Sequence, residues 1–318
     1  MRLHSDLLPF LDDLPDTDYG DPPSSRAASR ARWVAATGAV AATDPRVKWA
    51  DIAVPGGANR AGVPVRLYEP LKPLKGSGRK RGGYLHLHGG GYIQGDLETD
   101  HLRALQFAAE IGCTVISVQY RLAPEDPYPA ALDDCYEALC WMAASAADLG
   151  FDAARLAVGG QSAGGGLAAA LALLARDRGG PHVAFQLLLY PALDDRQRTL
   201  SAREMSNAPV FDSRKNALMW EHYLARVKPG DGVDYYASPA RAEDLSRLPP
   251  AYVLTCQHDP LRDEGIVYAK RMMEAGVDVE LRNAAATFHA FDSLASTTPI
   301  ARQALDEQRR KLHEALTL

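Results

Sequence analysis

The chain has 318 residues, 47% hydrophobic and 24% charged, an ordinary globular composition that excludes fibrous, low-complexity and disordered classes. Its formal charge of −5, with no basic run longer than Gly78-Arg-Lys-Arg81, argues against nucleic acid as a partner; that cluster reads as a solvated loop. Cys113, Cys135, Cys140 and Cys256 are scattered through mostly apolar runs without zinc or redox spacing, so they read as buried thiols, and no metal or other cofactor is expected. The N-terminal Met1-Arg-Leu-His-Ser-Asp-Leu-Leu-Pro-Phe10 is too interrupted for a signal peptide, and no apolar run approaches the roughly 18 residues of a membrane span. A soluble cytoplasmic protein with no membrane partner is the expectation.

Residues 1 to about 45 mix apolar pairs with a Pro/Asp/Ser stretch and then an Ala/Arg-rich stretch that predicts a helix over 26–41; no strand pattern occurs. From Trp49 to Val54 and from Val63 to Tyr68 apolar and polar residues alternate, as in half-exposed antiparallel strands. Lys72 to Arg81 reads as a surface turn. Gly83-Tyr-Leu-His-Leu87 is the next strand and runs into His88-Gly-Gly-Gly91-Tyr92. Three consecutive glycines supply no side chain for packing and carry a high entropy cost, so their use is exposed backbone whose N–H groups can converge on one oxygen. A flexible loop is the plainer alternative, and His86 and His88 read as structural.

Asp100 to Ile111 predicts a helix, Cys113 to Tyr120 a β-branched buried strand, and Ala130 to Leu149 a second helix. Then Leu156-Ala-Val158, Gly160-Gln-Ser162-Ala-Gly164 and the Ala/Leu run Leu167 to Ala175 read as strand, sharp turn and helix. Glycines at 160 and 164 relieve crowding where such a turn brings chain segments together, and Ser162 would stand at a helix N-terminus with its hydroxyl in open space. A bare Gly-x-Ser-x-Gly can also be a tight turn without chemistry; the flanking strand and helix favour an activated nucleophile.

Ala184 to Tyr190, Ala251 to Cys256 and Val277 to Arg282 continue the rhythm of apolar strands separated by helices. That rhythm predicts an α/β fold with a mostly parallel eight-stranded sheet covered on both faces, its ligands beyond the strands' carboxyl ends. Residues 192–247 break it with a helix over 213–225 and no strand, an insertion of the length that sits over strand ends as a lid. Asp259 follows a strand and precedes Pro260, well placed to orient a histidine, whereas Asp263 and Glu264 read as partners of a helix dipole. His289 follows the last strand by a short loop. A lone histidine between Phe288 and Phe291 usually packs, but the order Ser162, Asp259, His289 is that of the α/β-hydrolase triad.

Together His88-Gly-Gly-Gly91-Tyr92, Tyr120-Arg-Leu-Ala-Pro-Glu125, Gly160-Gln-Ser162-Ala-Gly-Gly165, Asp259-Pro-Leu-Arg-Asp-Glu-Gly265 and Phe288-His289-Ala-Phe291 resemble the hormone-sensitive-lipase-like family of α/β-hydrolases, bacterial esterases among them. The resemblance spans about residues 48–318. It implies Ser162 as nucleophile, His289 as base and then acid, Asp259 as the carboxylate behind it, and an oxyanion hole from the N–H groups of Gly90, Gly91 and Ala163. It also implies a helical cap: 1–45 and 192–247 as its two parts, over a catalytic domain of 46–191 and 248–318. The family usually has Asp, or in a second branch Thr, where this chain has Gln161.

The expected activity is hydrolysis of a small ester with a short acyl chain through an acyl-enzyme. The alternatives are an amidase or deacetylase with the same triad, or a non-catalytic receptor of the same fold. The charge of the insertion, at Asp194, Asp195, Arg196, Arg198, Arg203, Glu204, Asp212, Arg214 and Lys215, disfavours a lipid interface. Tyr92, Phe211, Trp220 and Tyr223 are the expected pocket lining. The last strand, at a sheet edge, could pair across it in a homodimer.

Overall fold

Apolar strands that carry no exposed residue need cover on both faces, and the fold provides it. The computed structural model describes residues 1–38, 41–55, 62–71, 81–228 and 230–317. Eight strands form one sheet: β1 (Val47–Val54), β2 (Val63–Pro70), β3 (Arg81–Leu87), β4 (Thr114–Val118), β5 (Phe151–Gln161), β6 (Phe185–Leu189), β7 (Ala251–His258) and β8 (Val279–Phe288). Their order is β1-β2-β4-β3-β5-β6-β7-β8. β2 runs antiparallel to both its neighbours, and the pairs from β4 to β8 are parallel. The central β4 and β6 are buried at every residue, whereas β1, an edge, is fully buried only at its two ends, Val47 and Val54. The expected α/β architecture with a mostly parallel eight-stranded sheet is thus the observed one.

The helices, in chain order, are α1 (Pro22–Thr37), α2 (His101–Ile111), α3 (Ala130–Ala144), α4 (Ala163–Asp177), α5 (Leu200–Glu204), α6 (Ser213–Tyr223), α7 (Arg262–Glu274), α8 (Phe291–Leu294) and α9 (Pro299–Thr317). The sheet divides the core in two. Leu139 of α3, Leu171 of α4 and Tyr268 of α7 pack on one face; Phe107 of α2 and Leu312 of α9 pack on the other. The helix after the nucleophile candidate, α4, is buried continuously from Ala163 to Ala175. Small side chains there allow close packing, so Leu171→Ala would leave a cavity costing about 3 kcal/mol.

Several boundaries differ from the sequence reading for local reasons. The first helix starts at Pro22, because Asp21 caps the Ser24 N–H and two prolines suit the first turn, and it stops at Gly38, whose φ of +63° lets its N–H close on Val34. The expected end of that helix at 41 crosses residues outside the described ones, as does most of the Lys72 to Arg81 turn. Strand β8 extends to Phe288 instead of ending at Arg282, so no loop separates it from His289. Its register on β7 shifts between Cys256 and His258, which lets the edge strand continue.

Residues 192–247 contain α5, α6 and a short 3-10 turn, Pro239–Arg241, with no strand among the described residues. The N-terminal segment meets this insertion directly. His222 lies 2.8 Å from the Tyr19 carbonyl, Lys215 pairs with Asp16 at 3.1 Å, and the Tyr19 and Phe211 rings are 5.6 Å apart. From α1, Arg26 donates to the carbonyls of Ile93 and Ala123 and pairs with Glu125, which ties the segment to the loop after the glycines.

Candidate active site

The turn after β5 puts Ser162 in a conformation that a side chain rarely adopts, φ +57° and ψ −120°. Backbone strain of about 1–3 kcal/mol persists only where the surroundings enforce it. Here the end of β3 does so: a Cβ at Gly160 would meet the Leu87 carbonyl oxygen at 2.2 Å, and one at Gly164 would meet it at 2.1 Å. Only glycine fits either position, and the serine between them is lifted toward the carboxyl end of the sheet.

His289 meets it there. Its Nε2 is 2.9 Å from the Ser162 Oγ, and its Nδ1 is 2.6 Å from Oδ2 of Asp259. A carboxylate accepts, so Nδ1–H donates to Asp259 and Nε2 is left to accept the serine hydroxyl. The other oxygen of Asp259 accepts the Leu261 N–H at 2.9 Å. Asp259 is fully buried, and Ser162 and His289 are each 5% exposed. Asp263 faces elsewhere: it accepts from the Ser201 N–H at 2.8 Å and from Arg262, pinning α5 to α7.

The glycine loop lies opposite. Gly90 and Gly91 have φ of +121° and +60°, and a Cβ would strike the Gln94 carbonyl from the first and the Tyr19 ring from the second. Among the described residues none accepts a hydrogen bond from the N–H of Gly90, Gly91 or Ala163. His88 stacks on Tyr120 at 4.0 Å and places Nδ1 2.7 Å from the Gly89 carbonyl, tying down the loop. Burial lowers the His88 pKa, which keeps the ring neutral.

A cavity of about 280 Å³ opens beside these groups, lined by Ser162, His289, the glycine loop, Tyr190, Phe211 and, from the N-terminal segment, Thr17 and Tyr19. Of the four aromatic residues expected to line it, Phe211 does. Tyr92, Trp220 and Tyr223 do not: all three are buried in the core, with Tyr92 and Tyr223 stacked at 3.8 Å. The reason is packing, since the face of α6 that carries Trp220 and Tyr223 turns toward Tyr92, whose hydroxyl fills the space left by Gly166. Tyr19 and Tyr190, which sequence reasoning missed, take the places at the cavity wall.

Gln161 donates to Asp100 at 3.1 Å, and Asp100 in turn lies 2.5 Å from Nε2 of His86. Burial alone would raise the Asp100 pKa, but the charge of and hydrogen bond from His86, with Arg103, outweigh it and hold the carboxyl below its usual range. In the sequence Asp100 is only the first residue of the expected helix over 100–111, and nothing local marks its partner fourteen residues back. All four cysteines are free, and no group of three potential metal ligands converges among the described residues. Among the described residues no helix is long and apolar enough to cross a membrane.

A family described as alpha/beta hydrolase fold matches residues 84–293. Esterase LipI of Mycobacterium tuberculosis is 40% identical over 260 residues, 82% of this chain and 80% of that protein. Carboxylesterase NlhH of the same organism is also 40% identical over 260 residues, 80% of this chain and 79% of its own length. Among solved structures, one titled "Bacterial Heroin Esterase" superposes with a TM-score of 0.93 at 38% identity, covering 100% of this chain and 99% of that one.

Proposed function

The chain belongs to the hormone-sensitive-lipase-like family of α/β-hydrolases and is a carboxylesterase, and from that premise we propose that it cleaves short-chain acyl esters through Ser162, His289 and Asp259. The observation that carries this reading is the unbroken line of hydrogen bonds from Asp259 through His289 to Ser162, at 2.6 and 2.9 Å, at the wall of the 280 Å³ cavity.

Ser162 Oγ attacks the acyl carbon while Nε2 of His289 takes its proton. The carbonyl oxygen gains the electron pair and is held by the N–H groups of Gly90, Gly91 and Ala163, dipoles already oriented before the reaction. When the tetrahedral centre collapses, His289 returns the proton to the leaving alcohol. Water then repeats the sequence on the acyl-enzyme, releasing the acid and restoring Ser162. Asp259 fixes the tautomer that makes Nε2 a base and stabilises the imidazolium that forms.

Residues 1–45 and 192–247 act as a cap in this reading, over a catalytic domain of 46–191 and 248–318. Their contacts through Tyr19, Phe211 and His222 join the two parts, and Tyr19 and Phe211 wall the cavity. Each methylene of an acyl chain adds about 0.8 kcal/mol of binding until the space is full, after which further length conflicts with packed aromatics. The preferred acyl groups therefore have about two to six carbons. Four free thiols fit a reducing, cytoplasmic compartment, and the open edge of β8 offers a surface for pairing two copies.

A panel of aryl esters from acetate to dodecanoate tests the substrate reading. Catalytic efficiency should peak near butyrate and fall at least about tenfold by dodecanoate. A higher efficiency on dodecanoate, or a jump in rate once substrate passes its solubility limit, would make the protein a lipase. Sedimentation velocity checks the pairing.

A further inference from the structure

Behind His289 lies a buried polar network that ester hydrolysis does not itself use. Tyr190 follows β6 directly, with φ +36°, a left-handed conformation that a tyrosine normally avoids. Its N–H bonds to the Leu254 carbonyl at 2.6 Å, so the strained position is held by the next strand. The buried ring meets His289 edge-on, with centroids 4.9 Å apart and planes at 67°. Phe211 covers the imidazole from another side at 4.9 Å.

The hydroxyl of Tyr190 points away from Ser162 chemistry. It donates to Oδ1 of Asp292 at 2.8 Å, and Oδ2 of that carboxylate accepts from Arg103 at 3.1 Å and from Gln308 at 2.8 Å. Arg103 also donates to Gln308 at 3.0 Å and to Ser293 at 2.5 Å. Asp292 and Gln308 are fully buried and Arg103 is 9% exposed. Burial by itself would raise the Asp292 pKa, but Arg103 and the bonds from Gln308 and Tyr190 outweigh it, so the group stays an ionised acceptor. Burial raises the Tyr190 pKa well above that of an exposed phenol. With its proton committed to Asp292, this hydroxyl is no acid for the reaction and no donor to an oxyanion.

We propose that Tyr190, locked at its hydroxyl by Asp292 and Arg103, is the positioning residue that keeps the His289 ring in line with both Asp259 and Ser162. A general base must accept from Ser162 and then donate to the departing alcohol without losing its bond to Asp259, so a tilt of the ring costs one or the other. The tyrosine edge blocks that tilt, and its hydroxyl anchor turns a packing contact into a fixed wall. The Arg103 charge keeps Asp292 ionised, and a hydrogen bond to an ionised acceptor holds the hydroxyl more firmly than one to a neutral group. The network draws on α2, α8 and α9, so helices packed in the same half of the core as Tyr190 set the geometry of the base.

This inference rests on His289 being the base, and the test separates the two. Wild type, His289→Ala, Tyr190→Phe, Asp292→Asn and, as a distant control, Tyr68→Phe are compared on a butyrate ester and by proton NMR of the strongly downfield Nδ1–H shared by His289 and Asp259. Tyr68 is buried and its hydroxyl is 3.0 Å from His101, so its loss perturbs a comparable bond away from the site. Tyr190→Phe should lower kcat about tenfold with KM within about twofold, and should broaden or shift the downfield resonance. Tyr68→Phe should lower the melting temperature without moving kcat or the resonance. Asp292→Asn should reproduce Tyr190→Phe if it folds, and Tyr190→Phe alone decides if it does not. An unchanged kcat and resonance in Tyr190→Phe, or a rise in KM alone, overturns the inference. Retained activity in His289→Ala overturns the assignment of the base instead.

Discussion

Two carboxylate–imidazole pairs are built on this sheet, one after β7 and β8 and the other on β3, with β5 and β6 between them. In one, Asp259 is 2.6 Å from His289; in the other, Asp100 is 2.5 Å from His86. All four groups are buried. What separates them is the second nitrogen. His289, beyond the end of β8, directs Nε2 to Ser162, whereas His86 sits within β3 and its Nδ1 is 3.3 Å from the Tyr84 hydroxyl. The pair alone is therefore a structural unit that strands can bury at will. Both pairs reach the same cavity, so a strained turn that lifts a serine to the free nitrogen is what makes one of them suited to chemistry.

The comparison breaks or sharpens under substitution, and the largest effect should come from the serine. Ser162→Ala should cost roughly a millionfold in turnover if the three groups act as a unit, and a phosphonate inhibitor should add once to the wild type, at Ser162, by intact mass. Asp259→Asn should cost on the order of 10⁴ in kcat by stabilising the wrong tautomer, while Asp263→Asn, which loosens only its bonds to Ser201 and Arg262, should stay within about tenfold. Asp100→Asn removes the other pair. It should lower stability by about 2 kcal/mol in urea unfolding yet leave kcat/KM within about tenfold, because the lost bonds end at His86 and Gln161. A loss as large as that of Asp259→Asn would place both pairs in the reaction.

Glu264 supplies the smallest and most diagnostic contrast, a buried carboxyl with no cationic partner among the described residues. It accepts the N–H groups of Leu193 and Asp194 at 2.6 and 3.2 Å, and burial pushes its pKa well above the ordinary 4.5. The folded chain then holds a proton that the unfolded chain releases, so this group favours folding below pH 4.5 and progressively less as pH rises above it. Glu264→Gln keeps the acceptor and removes the titration. Its melting temperature relative to wild type should climb from pH 4 to pH 8; a constant difference across that range would mean that the carboxyl is ionised in the folded state.

Much of this was legible in the linear chain because it depends on short-range rules. Alternating and continuous apolar runs marked the strands, and glycines at 90, 91, 160 and 164 marked close approaches where a Cβ would collide with its neighbours. The chain order of Ser162, Asp259 and His289 was readable for the same reason, since each stands at the end of a strand. Strand β8 was read short because its second half mixes alanine and polar residues, and a strand paired on one side needs no apolar alternation when its ladder bonds hold it. Tertiary structure alone decided which aromatics wall the cavity, and it placed Tyr19 and Tyr190 there while burying Trp220 and Tyr223. It also decided that Arg103, Asp292 and Gln308 would meet behind His289 and that Gln161 would reach Asp100. Those partners lie on separate helices and strands, and no local pattern encodes a contact whose geometry is set by how distant elements pack across one sheet.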